Sequence, residues 1–153
     1  MLWFLDTLVD FPVSYTDGAD GISVMESLAP RGDSPPYHVH HTEDEIFHLL
    51  EGELVLLVGG KARRVTTGET VLAPKGVPHT YRVVSERARW LVTTTHGDFE
   101  RFVRAASRVA DTADLPIPGG PTPEQQHALA ELARQHGSEL VGPPLAEEVA
   151  EAA

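Results

Sequence analysis

The chain has no cysteine in its 153 residues. That excludes a disulfide framework, a thiolate metal site and a cysteine nucleophile, and it fits a reducing compartment. Positive charge is scarce: 12 Lys and Arg against 23 Asp and Glu give a formal charge of -11. No basic stripe is left to neutralise a phosphate backbone or an anionic lipid surface, so neither nucleic acid nor membrane is an expected partner. No apolar run approaches the roughly 20 residues that a spanning helix requires. The start, MLWFLDTLVDF, lacks the basic n-region and small-residue cleavage site of a secretory signal. The expected location is the cytoplasm.

What is present suits one compact domain, since 41% hydrophobic content over this length fills one core and not two. Helical periodicity is missing from the first two thirds. Short alternating or apolar runs near residues 2–9, 21–29, 37–42, 45–51, 53–58, 61–66, 70–74, 78–84 and 89–95 are separated by Gly, Pro and Asp clusters. That spacing predicts a mainly β barrel or sandwich. Gly59-Gly60 is a two-residue hairpin signal and Pro74-Lys75-Gly76 a tight turn.

The last third changes character. Phe99, Phe102, Val103 and Ala106 share one helical face, and a second helix is expected from Thr122, with Gln125 completing a capping box, to Gly137. This predicts a barrel core with its first helix over residues 1–107. Residues 108–153 then supply a linker, the second helix and a frayed acidic tail, packed on or beside the barrel.

The histidines are unevenly placed. Residues 35–48, PPYHVHHTEDEIFH, hold His38, His40, His41 and His48, four of the eight in the chain. In an extended strand His38 and His40 point one way while Val39 and His41 point the other, so the first two form a chelating pair. If the next strand starts at Glu45, then Glu45, Phe47 and Leu49 share a face and His48 is sent to the opposite one. A loop one residue shorter would present Asp44 instead. His79 follows the tight turn in PKGVPHTYRV and opens another strand.

These residues fall into two motifs that resemble those of the cupin family. The first reads Gly32, five residues, His38-Val39-His40, four residues, Glu45, six residues, Gly52; the second reads Gly68, five residues, Pro74-Lys75-Gly76, two residues, His79. Every specified position matches except the last of the second motif, usually Asn, which is Val83 here. The resemblance spans residues 20 to 95, and the ending looks like that of small bacterial quercetin-dioxygenase-like cupins.

The resemblance implies a double-stranded β-helix barrel with C-terminal helices. It also implies that His38, His40, Glu45 and His79 hold one divalent metal per chain. Three imidazoles and a carboxylate suit Ni, Fe, Mn, Co, Cu or Zn and are too nitrogen-rich for Mg or Ca. Glu45 is the candidate catalytic base. Phe47, Leu49, Tyr81, Val83 and Trp90 either fill the barrel or line a pocket for an apolar or aromatic small molecule.

The leading expectation is an oxygen-dependent dioxygenase acting on a flavonol-like or enolisable aromatic substrate. A metal-dependent isomerase, cyclase or decarboxylase is the alternative, followed by a ligand-binding protein without catalysis. His41, Glu43 and Asp44 read as a solvated turn, His48 as an outer-face residue, and His127 and His136 as exposed. The apolar N-terminal strand suggests a homodimer.

Overall fold

A computed structural model describes residues 1–153. In chain order the elements are β1 (Leu2–Phe4), β2 (Thr7–Val13), β3 (Ser23–Pro30), β4 (Pro36–His40), β5 (Glu45–Glu51), β6 (Glu53–Val58), β7 (Lys61–Thr66), β8 (Thr70–Ala73), β9 (His79–Val83) and β10 (Arg87–Thr94). They are followed by α1 (Asp98–Ala106), β11 (Arg108–Val109), α2 (Pro123–Gln135), β12 (Ser138–Pro144) and α3 (Glu147–Glu151). Two antiparallel sheets face each other, one of seven strands in the order β11-β1-β2-β3-β10-β5-β8, the other of five in the order β12-β4-β9-β6-β7. No helix is long and apolar enough to cross a membrane.

Period-two alternation builds the walls. Ser23, Met25, Ser27 and Ala29 of β3, Ala88, Trp90, Val92 and Thr94 of β10, and Glu45, Phe47 and Leu49 of β5 are all buried. With Leu54, Leu56 and Val83 from the opposite sheet, the apolar members of these files form one core cluster. Complete burial of a side chain such as Leu49 contributes about 1.5–3 kcal/mol. One end of the β5 file is an acid, and that end carries the site.

Turns hold these files in register. Gly59 and Gly60 both have positive φ, 56° and 80°, as the β6–β7 hairpin requires. At Gly52, φ is 85° and a Cβ would lie 2.4 Å from the Arg87 carbonyl oxygen, so no side chain fits where β5 turns into β6.

The structure departs from the sequence reading in three places. Residues 2–9 are not one strand but the β1–β2 hairpin, which turns at Leu5 with φ 53°. Trp3, Leu8 and Val9 are buried within the chain itself, which removes the argument that an apolar N-terminus needs a partner to cover it. Beyond residue 107, the chain does more than pack beside the barrel: β12 pairs with β4 in the five-stranded sheet. The tail is not frayed either, because α3 lays Ala150 with Leu145 against Val55. The capping box at Thr122 and Gln125 is formed, and α2 ends just before Gly137.

Candidate metal centre

The site is assembled from three strands. Pro35-Pro36 favours an extended backbone leading into β4, where His38 and His40 face inward together. His38 sits directly opposite His79 in the β4–β9 register, and His40 directly opposite Ser138 of β12. Glu45 enters from the head of β5 in the other sheet.

One potential ligand atom from each of His38, His40, Glu45 and His79 lies within 4.8 Å of all the others. Glu45 Oε2 is 2.7 Å from His79 Nε2 and 3.0 Å from His40 Nε2. Donors at adjacent positions around a metal with bonds of about 2.1 Å are about 3 Å apart, which matches this spacing. The distances therefore suit a shared coordination sphere.

The outer ring nitrogens fix which way the inner ones face. His38 Nδ1 lies 2.7 Å from the Pro36 carbonyl oxygen and His79 Nδ1 lies 3.2 Å from that of Val77. A carbonyl only accepts, so in the neutral rings both Nδ1 atoms carry the proton and both Nε2 lone pairs point into the cluster. His40 Nδ1 is braced 2.9 Å from Ser138 Oγ. Its Nε2 is buried 3.0 Å from Glu45 Oε2 and makes no well-formed hydrogen bond within the chain. A buried nitrogen left in that state is destabilising by about 1–3 kcal/mol unless something binds it.

Electrostatics point the same way. Burial, reinforced by the neighbouring His79 and His40, pushes His38 down to about 3, so its ring stays neutral. Burial also opposes charge on His79 and on Glu45. The hydrogen bond and charge of Glu45 outweigh it and raise His79, while His40 and His79 hold Glu45 well below the carboxylate range. Without a metal, a proton shared between Glu45 and His79 balances the buried carboxylate. Three imidazole nitrogens and one carboxylate oxygen fit a divalent transition metal in that proton's place.

The other candidates separate by face. His48 is turned outward with Nδ1 2.8 Å from Thr70 Oγ1. His41 is exposed, with Nε2 3.0 Å from Glu139. Asp44 is exposed and accepts from the Lys75 N–H at 2.8 Å, closing the loop outside the cluster. His127 is exposed, whereas His136 is half-buried at the end of α2, its ring near Phe102. Glu43 overturns the solvated-turn reading: it is 1% exposed and accepts the Phe99 N–H at 2.6 Å, capping α1, whose own N-cap, Gly97, offers no side chain.

An inner cavity of about 90 Å³ reaches His38, His40 and Glu45, with Phe47, Tyr81 and Trp90 in its wall. Leu49 and Val83 do not line it; both are buried in the core. Phe99 and Phe102 of α1 and Leu129 of α2 complete the lining, so the C-terminal helices are part of the pocket. Sequence reasoning missed Ser138 because its role comes from the long-range pairing of β12. No apolar–polar alternation in SELV after Gly137 marks that strand in the sequence.

Residues 24–94 match the family model described as Cupin domain. The fold is that of the cupins. Over 86 residues the chain is 31% identical to quercetin 2,3-dioxygenase of Bacillus subtilis, a match covering 56% of this chain and 26% of that protein. The chain thus spans about a quarter of that relative. The polyketide cyclase RemF of Streptomyces resistomycificus superposes with a TM-score of 0.52 at 27% identity, over 59% of this chain and 65% of that one. KdgF from Halomonas sp. gives 0.54 at 17% identity over 59% and 78%, a likeness of fold. The His/Glu cluster of this cupin domain is compatible with the metal site typical of cupins.

Proposed function

We propose that this cupin is a metal-dependent enzyme, an oxygen-dependent dioxygenase acting on hydroxylated or enolisable aromatic compounds of the flavonol kind. The observation that carries the reading is that three members of the four-residue cluster, His38, His40 and Glu45, line an apolar cavity. A divalent transition metal held by His38, His40, Glu45 and His79 supplies Lewis acidity for an enolate and, where the ion is redox-active, access to oxygen chemistry.

The residues of the chain do the rest. The Pro36 and Val77 carbonyls and Ser138 keep the three rings aimed inward, so that little reorganisation is needed on binding. Phe47, Trp90 and Phe99 exclude water from the side where substrate carbon would lie. Glu45 is a poor base while His40 and His79 hold it ionised. It becomes competent to take the enol proton onto its carboxylate only when it swings away from them.

At about 90 Å³ the inner cavity is smaller than the roughly 150 Å³ that accommodates benzene in an engineered apolar cavity. A bound ring therefore extends outward into the neighbouring cavity of about 750 Å³. The match to a quercetin dioxygenase supports oxygen chemistry, while the likeness to a polyketide cyclase favours a second reading, non-oxidative ring closure. Metal-loaded protein is mixed with flavonols and related enolisable aromatics, with and without air, and oxygen consumption and product mass are followed. Oxygen-dependent turnover supports the first reading, and equal turnover without oxygen assigns the second. Binding with no turnover under either atmosphere contradicts both.

A further inference from the structure

The two cavities share a mostly apolar wall in which Thr7 and Tyr81 are the polar side chains. Thr7 and Tyr81 line both, while Asp33 lines only the outer cavity, which runs between the loop before β4, residues 118–121 and the end of β12. Tyr81 Oη donates to Asp33 Oδ2 at 2.8 Å, and Thr7 Oγ1 approaches the same oxygen at 3.5 Å. Asp33 Oδ1 takes no hydrogen bond from the chain, although the residue is only half-exposed at most. Burial and the nearby Asp6 carboxylate raise this carboxyl above the ordinary range, outweighing the Tyr81 and Thr7 hydroxyls and the Arg82 charge.

Tyr81 follows His79 by two residues on the same face of β9, so their Cα atoms stand about 7 Å apart along the strand. That is about the length of one aromatic ring with its substituent. A ring that starts at the cluster and extends outward past Tyr81 enters the cavity that Asp33 lines.

We infer that Asp33, braced by Tyr81, selects substrates that carry a hydroxyl on the outer edge of an aromatic ring, the hydroxyl donating to the free carboxylate oxygen. This rests on the reading of the cavity as a substrate site and adds a requirement to it. Tyr81 is a positioning residue: it holds Oδ2 of the carboxylate and leaves Oδ1 without a partner from the chain.

The test is isothermal titration of the full chain with phenol and with fluorobenzene, which has the same shape but no donor. It is run on zinc-loaded protein, where nothing is oxidised, and repeated on metal-free protein so that a failed metal site does not obscure the result. The readout is the ratio of the two affinities, which a general loosening of the pocket leaves unchanged. A hydrogen bond to a charged acceptor makes the expected preference for phenol about tenfold or more. Asp33→Asn is expected to bring that ratio close to one at unchanged metal content, and Tyr81→Phe to lower it partway. A ratio near one in the unmodified protein, a preference that survives Asp33→Asn, or no phenol binding up to its solubility overturns the inference.

Discussion

Replacing Glu43 by alanine is a perturbation whose effect can be worked from the structure. The Glu43 carboxylate accepts the Phe99 N–H at 2.6 Å and approaches the His96 N–H at 3.4 Å, in a position that is 1% exposed. Truncation leaves the first turn of α1 with an unsatisfied N–H and no substitute cap. A lost cap is worth about 0.5–2 kcal/mol and a lost hydrogen bond to a charged group about 1.5–3 kcal/mol. About 2 kcal/mol is therefore expected, which lowers Tm by about 4–8 °C in a domain of this size.

The loss extends to the site, because the Phe99 ring stands edge-on to His40 at 5.3 Å. Metal affinity is expected to fall severalfold while stoichiometry is kept. Glu43→Gln retains one acceptor and is expected to recover about half of the stability. The assay is thermal unfolding followed by circular dichroism, with a metal titration alongside. An unchanged Tm in Glu43→Ala would refute the capping argument.

Three further outcomes follow from particular contacts. His48→Ala is expected to leave metal content unchanged, since that ring faces away from Glu45, whereas His79→Ala empties the site; elemental analysis of both proteins distinguishes them. In metal-free protein, His38 is neutral down to about 3 when folded but titrates near 6.5 when unfolded, so the unfolded chain binds the extra proton and stability falls as pH drops through that window. Glu45, held low, adds a loss below its ordinary 4.5, whereas the contribution of His79, held high, is present below 6.5 and fades as pH rises through its raised value. A urea midpoint that stays flat on acidification in the presence of chelator would contradict this. With Trp3 and Val9 buried internally, deletion of residues 1–9 is expected to unfold the barrel, and a deletion variant that keeps its cooperative thermal transition by circular dichroism would contradict this.

The parts of the fold that could be read from sequence were those governed by local rules. Alternation placed His38 with His40 and sent His48 away from Glu45, and the glycine pair at 59 and 60 marked its hairpin. Contacts between residues distant in sequence were not legible. Ser138 meets His40 across 98 residues, and nothing local marks SELV as a strand of the metal sheet. Glu43 looked like a turn acid because its partners, the N–H groups at the start of α1, lie more than 50 residues away. The tail reads as acidic and loose, yet Ala150 is fully buried, because a small residue needs only a shallow groove.

The central claim is that His38, His40, Glu45 and His79 bind one metal ion together. The most direct measurement is elemental analysis of protein purified without chelator, alongside single alanine variants at those four positions whose folding is verified by circular dichroism. About one transition-metal ion per chain is expected in the unmodified protein, and a loss of at least tenfold in affinity in each variant. An unmodified protein that carries no metal and takes up none of Ni, Fe, Mn, Co, Cu or Zn near neutral pH would contradict it.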